Sequence, residues 1–274
     1  MSTSHGPRRR HTLRALFGLW TLVGGLLLLA RWLPLLPDAA VLACCGLLAV
    51  PLAWLLFRRR RLRRAAFRAV ALTPGTPWQH RLRGGLPMLL GQSLVALGVA
   101  GLLVLGVVRL DLREFWLLLI ALVPVWLLVH GAVLGGLTAV VNRRFLRVVS
   151  DRVAGWLVGL PLLAALLAVA FHRPVPSVSG LSIEGALAAY TAEVTANSVA
   201  LEIGLVLAAA AEALPQWFAQ NLAASLPGSG WQGLAWTLVL LREWLVVWPL
   251  MLLVQAVHGW LDRADEHARS GRSE

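Results

Sequence analysis

Residues 181–214 read LSIEGALAAYTAEVTANSVALEIGLVLAAAAEAL, and residues 231–260 read WQGLAWTLVLLREWLVVWPLMLLVQAVHGW. The first segment is rich in alanine and carries Glu184, Glu193, Glu202 and Glu212 without a basic residue. Spacings of 7, 4, 3 and 4 separate Glu184, Thr191, Thr195, Ser198 and Glu202. At about 100° per residue, one continuous helix would gather them into a polar stripe. Glu193 and Asn197 fall on another side, and Ala188, Ala192, Ala196, Val199, Ile203, Val206 and Ala210 make an apolar face of mostly small residues. The second segment has the length of a membrane helix, with the adjacent pair Arg242 and Glu243 near its middle. A charge at that depth costs about 3 kcal/mol or more, so such groups pair with one another or line a wet cavity.

The composition agrees with a membrane setting. Of 274 residues, 58% are hydrophobic and 14% charged, which excludes an ordinary soluble domain. A hydrocarbon core about 30 Å thick needs roughly 20 mainly apolar residues per helix, and such runs recur along the chain. The expected fold is therefore all-α: a single polytopic transmembrane helical bundle spanning residues 1–274, because helices and closed barrels alone satisfy their backbone in lipid. The net charge is +12, and every basic residue is arginine. Cys44 and Cys45 are adjacent in an apolar run, which suits neither a disulfide framework nor spaced zinc ligands.

Expected helices cover 13–35, 39–57, 86–108, 115–141 and 153–171, followed by the acidic segment 181–214 and the final helix 231–260. The first apolar run is longer than the hydrophobic part of a signal peptide and lacks a small-x-small cleavage site, so it is read as a retained helix. Gly131-x-x-x-Gly135 and Gly155-x-x-x-Gly159 have the spacing that lets helices approach closely in lipid. His130 is read as a hydrogen-bonded packing residue with Gln92 as its partner, while Gln255 and His258 are placed near the far interface. Arginine placement sets the topology. The connection 58–85 holds nine arginines, which the positive-inside rule puts in the cytoplasm together with the N-terminus. Within it Arg58, Arg59, Arg60, Arg61, Arg63 and Arg64 are candidates for contact with anionic lipid headgroups. Nucleic acid is not an expected partner, because stacking aromatics do not interleave with these arginines.

Five crossings then leave residue 171 outside, and two arrangements remain. Either 181–214 spans, giving seven crossings, or it is a re-entrant or amphipathic helix beside six crossings. The six-crossing form is preferred, because PQWFAQNLAASLPGSG (215–230) has no basic residue and suits a cytoplasmic connection poorly.

Catalytic signatures are absent: the chain has no phosphate-binding glycine loop, HExxH helix, CxxC or nucleophile elbow, and no cofactor or metal is implied. The leading expectation is a membrane subunit of a multi-protein transport or secretion assembly in a bacterial-type inner membrane, working through helix contacts with membrane-protein partners or a second copy. The alternative is a self-sufficient channel or secondary transporter whose cation or proton path uses Glu193, Glu202, Arg242 and Glu243; read structurally instead, Arg242 neutralises Glu202 and the pair fixes helix register. An intramembrane enzyme, built where His130, Glu202 and His258 converge, is the third reading.

Overall fold

The computed structural model describes residues 6–71, 85–109, 113–172, 176–192, 194–222 and 230–270. The turn-rich part of the arginine connection and Glu193 lie outside these. The helices are α1 Gly6–Trp32, closed by a 3-10 turn Leu33–Leu35, then α2 Asp38–Ala71, α3 Leu86–Arg109, α4 Arg113–Leu137, α5 Arg143–Phe171, α6 Ile183–Thr191, α7 Val199–Trp217 with a π turn Phe218–Leu222, and α8 Gly230–Ser270. Among the described residues there is no strand, and seven helical segments are long and apolar enough to cross a membrane. The protein is an all-α, multi-pass membrane bundle.

α8 is the central helix. It packs against α1, α2, α3 and α5, and Leu250 through Ala256 are buried in unbroken succession, as expected of a helix enclosed on every side. Lipid tails are as apolar as leucine, so close van der Waals fit rather than water exclusion must hold such helices together. Small residues supply that fit. A Cβ on Gly106 of α3 would lie 3.2 Å from both methyl carbons of Val246, and one on Gly159 of α5 would lie 3.6 Å from Met251. Trp126 and Phe115 of α4 and Leu103 of α3 are fully buried in the same core.

The bundle has two distinct ends. At the arginine-rich end, the final turns of α8 meet the start of α1, where Gly18 faces Leu261, and the middle of α2, where Trp54 meets Trp260 edge-on at 6.4 Å. Both chain termini therefore lead away from this end. At the far end lie the α1–α2 turn and Arg109, the last residue of α3.

Several sequence expectations need correction. Segment 181–214 is two helices rather than one. The chain leaves helical geometry after Thr191, and Ser198 starts α7 afresh by accepting a hydrogen bond from the Leu201 amide. Serine is a strong N-cap and a weak helix-interior residue, and Thr195 and Asn197 lie in the same break. The stripe through Glu184, Thr191, Thr195, Ser198 and Glu202 is thus not continuous. Glu184 and Glu202 occupy the first turns of α6 and α7, where the helix dipole favours a carboxylate. Thr191 donates to Leu187 of its own helix at 2.9 Å. The arginine run 58–71 is helical, continuing α2, since Arg, Ala and Leu are all good helix formers. α5 likewise begins at Arg143 rather than 153.

α7 starts and finishes at the far end. At its start, the Asn197 amide donates to Pro34 at 2.9 Å, and Ser198 and the Ala200 amide both bond Asp38. Further on, Glu212 meets Arg109. At its finish, Trp217 Nε1 donates to Leu181 at 2.7 Å, and Gln220 and Asn221 bind the 178–180 loop that follows α5. Its principal neighbour is α6, with smaller contacts to α2, α3 and α8. A helix about 28 Å long whose two ends are both tied to one end of the bundle lies across that end. The helices that run from one end of the bundle to the other are α1 to α5 and α8.

Candidate functional site

Two clusters of charged side chains occupy opposite ends of α8. The first is at the far end. Glu212 of α7 reaches between two guanidiniums, with Arg109 Nη2 at 2.6 Å and Arg242 Nη1 at 3.7 Å. Arg242 also donates through Nε to Glu243 Oε1 at 2.9 Å, and its Nη2 contacts the same oxygen. Glu243 is buried, while Arg109, Arg242 and Glu212 keep between 20% and 24% of their side chains exposed. The two arginines and two glutamates balance in charge. Tyr190 of α6 lies beside them: burial pushes its phenol up and the Glu212 carboxylate adds to this, against Arg242 and Arg109.

This geometry revises several expectations. Arg242 pairs with Glu212 and Glu243, not with Glu202, which stands exposed in the first turn of α7. Arg242 is joined through Glu212 to Arg109, the last residue of α3. α8 has 41 residues, about 60 Å or twice the hydrocarbon thickness, so its middle falls nearer the C-terminus than the apolar run suggested. Trp244 stacks on Trp156 of α5, with centroids 5.3 Å apart and planes at 21°. Glu193 lies outside the described residues.

The second cluster lies toward the arginine-rich end. His130 Nε2 of α4 is 3.0 Å from Asp151 Oδ1 of α5, and both residues are buried. His258 of α8 sits edge-on to His130, with ring centroids 4.7 Å apart at 77°, and has Asp262 one turn later at 4.0 Å. Trp126 stacks on His130 at 5.6 Å and presents its edge to His258 at 6.2 Å. From α2, Arg59 donates to Gln255 Oε1 and interacts electrostatically with Asp151. His130 therefore has an acidic partner on the next helix, in place of Gln92. Gln255 and His258 face the core, not an interface. The convergence of His130, Glu202 and His258 holds for the two histidines alone.

Asp151 and Asp262 went unread in sequence, and Arg59 was read there as a headgroup contact, whereas it donates to Gln255. Asp151 sits in NRRFLRVVSDR, which resembles a loop until α5 is known to begin at Arg143. The i,i+4 pair His258 and Asp262 was legible from spacing. Among the described residues, no group of three or more His, Cys, Asp and Glu side chains is arranged to hold a metal ion. The proposed headgroup arginines extend along the last turns of α2, with Arg60, Arg61 and Arg63 exposed and Arg58 over the Trp54 ring at 5.7 Å. No family model matches this chain, and neither a curated protein nor a solved structure does.

Proposed function

We propose that this protein is a membrane subunit of a multi-protein transport or secretion assembly, acting through lateral helix contacts. The observation that supports this most directly is a pair of like motifs with unlike surroundings. Gly155-x-x-x-Gly159 of α5 is filled by Gln255, Met251 and Val247 of α8, whereas a Cβ on Gly131, Gly135 or Gly136 of α4 would meet nothing within 4 Å. Leu128, one turn before Gly131, is exposed as well. A small-residue face open to lipid suits a transmembrane helix of another chain, because close backbone approach is what drives helix association there. Arg60, Arg61 and Arg63 would lie against anionic headgroups, and by the positive-inside rule the arginine-rich end and N-terminus face the cytoplasm of a bacterial-type inner membrane.

The test is purification in mild detergent. The reading predicts a stoichiometric membrane-protein partner or second copy, lost in Gly131→Leu/Gly135→Leu while the subunit keeps its thermal stability. A wild-type protein that runs as a partner-free monomer in native membranes and in detergent overturns it.

A self-sufficient channel or secondary transporter is the second reading, favoured by the charged clusters at either end of α8. From Glu243 to Gln255, about 18 Å along the helix, α8 contributes no titratable side chain, and Leu250 to Val254 are buried and apolar. That dry interval weighs against a continuous path. Proton or cation flux in vesicles containing this chain alone would restore the second reading.

A further inference from the structure

α7 is apolar on two opposite faces, and the bundle covers one of them. Leu201, Leu205, Ala209 and Ala213 are buried, whereas Val199, Ile203, Leu207 and Leu214 are between 48% and 65% exposed. Spacings of 4, 4 and 7 keep the latter on one side of the helix, and Ala200 and Ala211 are exposed with them. From Ile203 to Leu214 the sole polar side chain is Glu212, which turns inward to Arg109 and Arg242. A helix that is hydrophobic all round is buried in protein or in lipid. We propose that the outward face of α7 is a lipid-binding surface, seated among the acyl chains of the leaflet at the far end. The inference is independent of the assembly proposed above.

The surroundings of α7 identify lipid as the occupant. Asn197 bonds the carbonyls of Pro34 and Leu35, so the stripe starts beside Leu28, Trp32 and Leu35, all exposed on the perimeter of the bundle. The outward face thus continues a surface that already meets lipid, and a tryptophan stands where chains give way to headgroups. Along its axis the segment is polar, apolar and polar again. Thr195 and Asn197 are exposed just before it, and Gln220 and Asn221 hold the 178–180 loop just after it. Both ends can therefore stay at the interface while the middle is immersed. Helix-binding faces in membranes are built from small residues, but the one glycine of α7, Gly204, faces inward, where an added Cβ would lie 2.8 Å from a Leu105 methyl carbon. Outward, Val199, Ile203, Leu207 and Leu214 present bulky side chains instead.

Charge narrows the ligand further. Residues 174–230 include no basic residue, and Glu184 and Glu202 are exposed. Interfacial helices that select anionic lipids carry Lys or Arg on their polar face. This surface takes lipid through its acyl chains, with no preference for an anionic headgroup.

Ile203→Cys, Leu207→Cys and Leu214→Cys, each carrying a nitroxide in full-length protein with Cys44 and Cys45 replaced, test the proposal in phosphatidylcholine nanodiscs. All three sites are exposed, so any two suffice if one label perturbs folding. Thr195→Cys is the aqueous reference. Contact with molecular oxygen, which concentrates in lipid, is compared with contact with a water-soluble nickel chelate. Oxygen contact is expected to dominate at the three stripe sites and nickel contact at Thr195, with no change when phosphatidylglycerol is added. The stripe sites should share one depth to within about 5 Å, a single helical turn, whereas a spanning helix would separate Ile203 and Leu214 by about 16 Å. Nickel contact equal to that at Thr195 would place the face in water and overturn the proposal. Low contact with both probes, which means cover by a second copy or another protein, a 16 Å spread of depths, or immersion only with phosphatidylglycerol would overturn it as well.

Discussion

Glu212→Gln removes one negative charge from between Arg109 and Arg242 while keeping the shape of the side chain. Glu212 is 2.6 Å from Arg109 and 3.7 Å from Arg242, and the three side chains are between 20% and 24% exposed. Truncating one partner of a fully buried pair costs about 3–5 kcal/mol, whereas exposed pairs contribute about 0–1 kcal/mol. At this intermediate exposure, with two guanidiniums losing their shared carboxylate, about 2 kcal/mol is expected. The loss falls on the attachment of α6 and α7 to the bundle, because Arg109 and Arg242 belong to α3 and α8. Local opening free energies are read by amide exchange, and about 2 kcal/mol corresponds to roughly 30-fold faster exchange. Exchange in nanodiscs should rise by that factor in α7 while α4 and α5 stay as in wild type. Adding Arg109→Gln should recover part of the loss, with a coupling of about 1–2 kcal/mol. Exchange in α7 within twofold of wild type would refute the reasoning that this charge network holds the outer helices down.

Other perturbations follow from the same contacts. Gly106→Leu drives new atoms into Val246, already 3.2 Å from an added Cβ, and should destabilise the bundle by about 1–3 kcal/mol in detergent thermal melts; Gly131→Leu should leave the melt of the isolated chain unchanged. Ser198→Ala removes the α7 cap and the partner of Asp38, costing about 1 kcal/mol and speeding exchange of the Leu201 amide. Tyr190 is the only tyrosine in the chain, so tyrosinate absorbance reads it alone. Its folded value is raised by burial and by Glu212, so the stability this group contributes is present below the ordinary tyrosine value and is lost as pH rises through the folded one. Glu212→Gln should lower its midpoint, and an unchanged midpoint would separate Tyr190 from the cluster.

The bundle was legible because apolar run length reports directly on membrane thickness. Helix ends were less so. Arg58 to Ala71 read as loop because charge suggested solvent, yet arginine and alanine sustain a helix beyond the bilayer surface. The break before Ser198 was hidden by the periodicity of the residues around it, since spacing alone does not distinguish a helix interior from a cap. The partners of Arg242 and His130 were beyond reach for a different reason. Glu212 lies 30 residues before Arg242 in sequence, and Asp151 lies 21 after His130. Such pairings depend on how helices rotate against one another, which the packing of Gly106, Gly155 and Gly159 on α8 decides.

The central claim is that α7 lies across the far end, so that α8 returns the chain to the arginine-rich end. Single cysteines at Ser179, Asn221, Thr12 and Ser270, in a background with Cys44 and Cys45 replaced, test it by labelling with an impermeant thiol reagent in oriented membranes. The account predicts that Ser179 and Asn221 label from one side while Thr12 and Ser270 label from the other. If Asn221 labels together with Thr12 and Ser270 labels from the opposite side, α7 spans the membrane, and the six-crossing architecture is wrong.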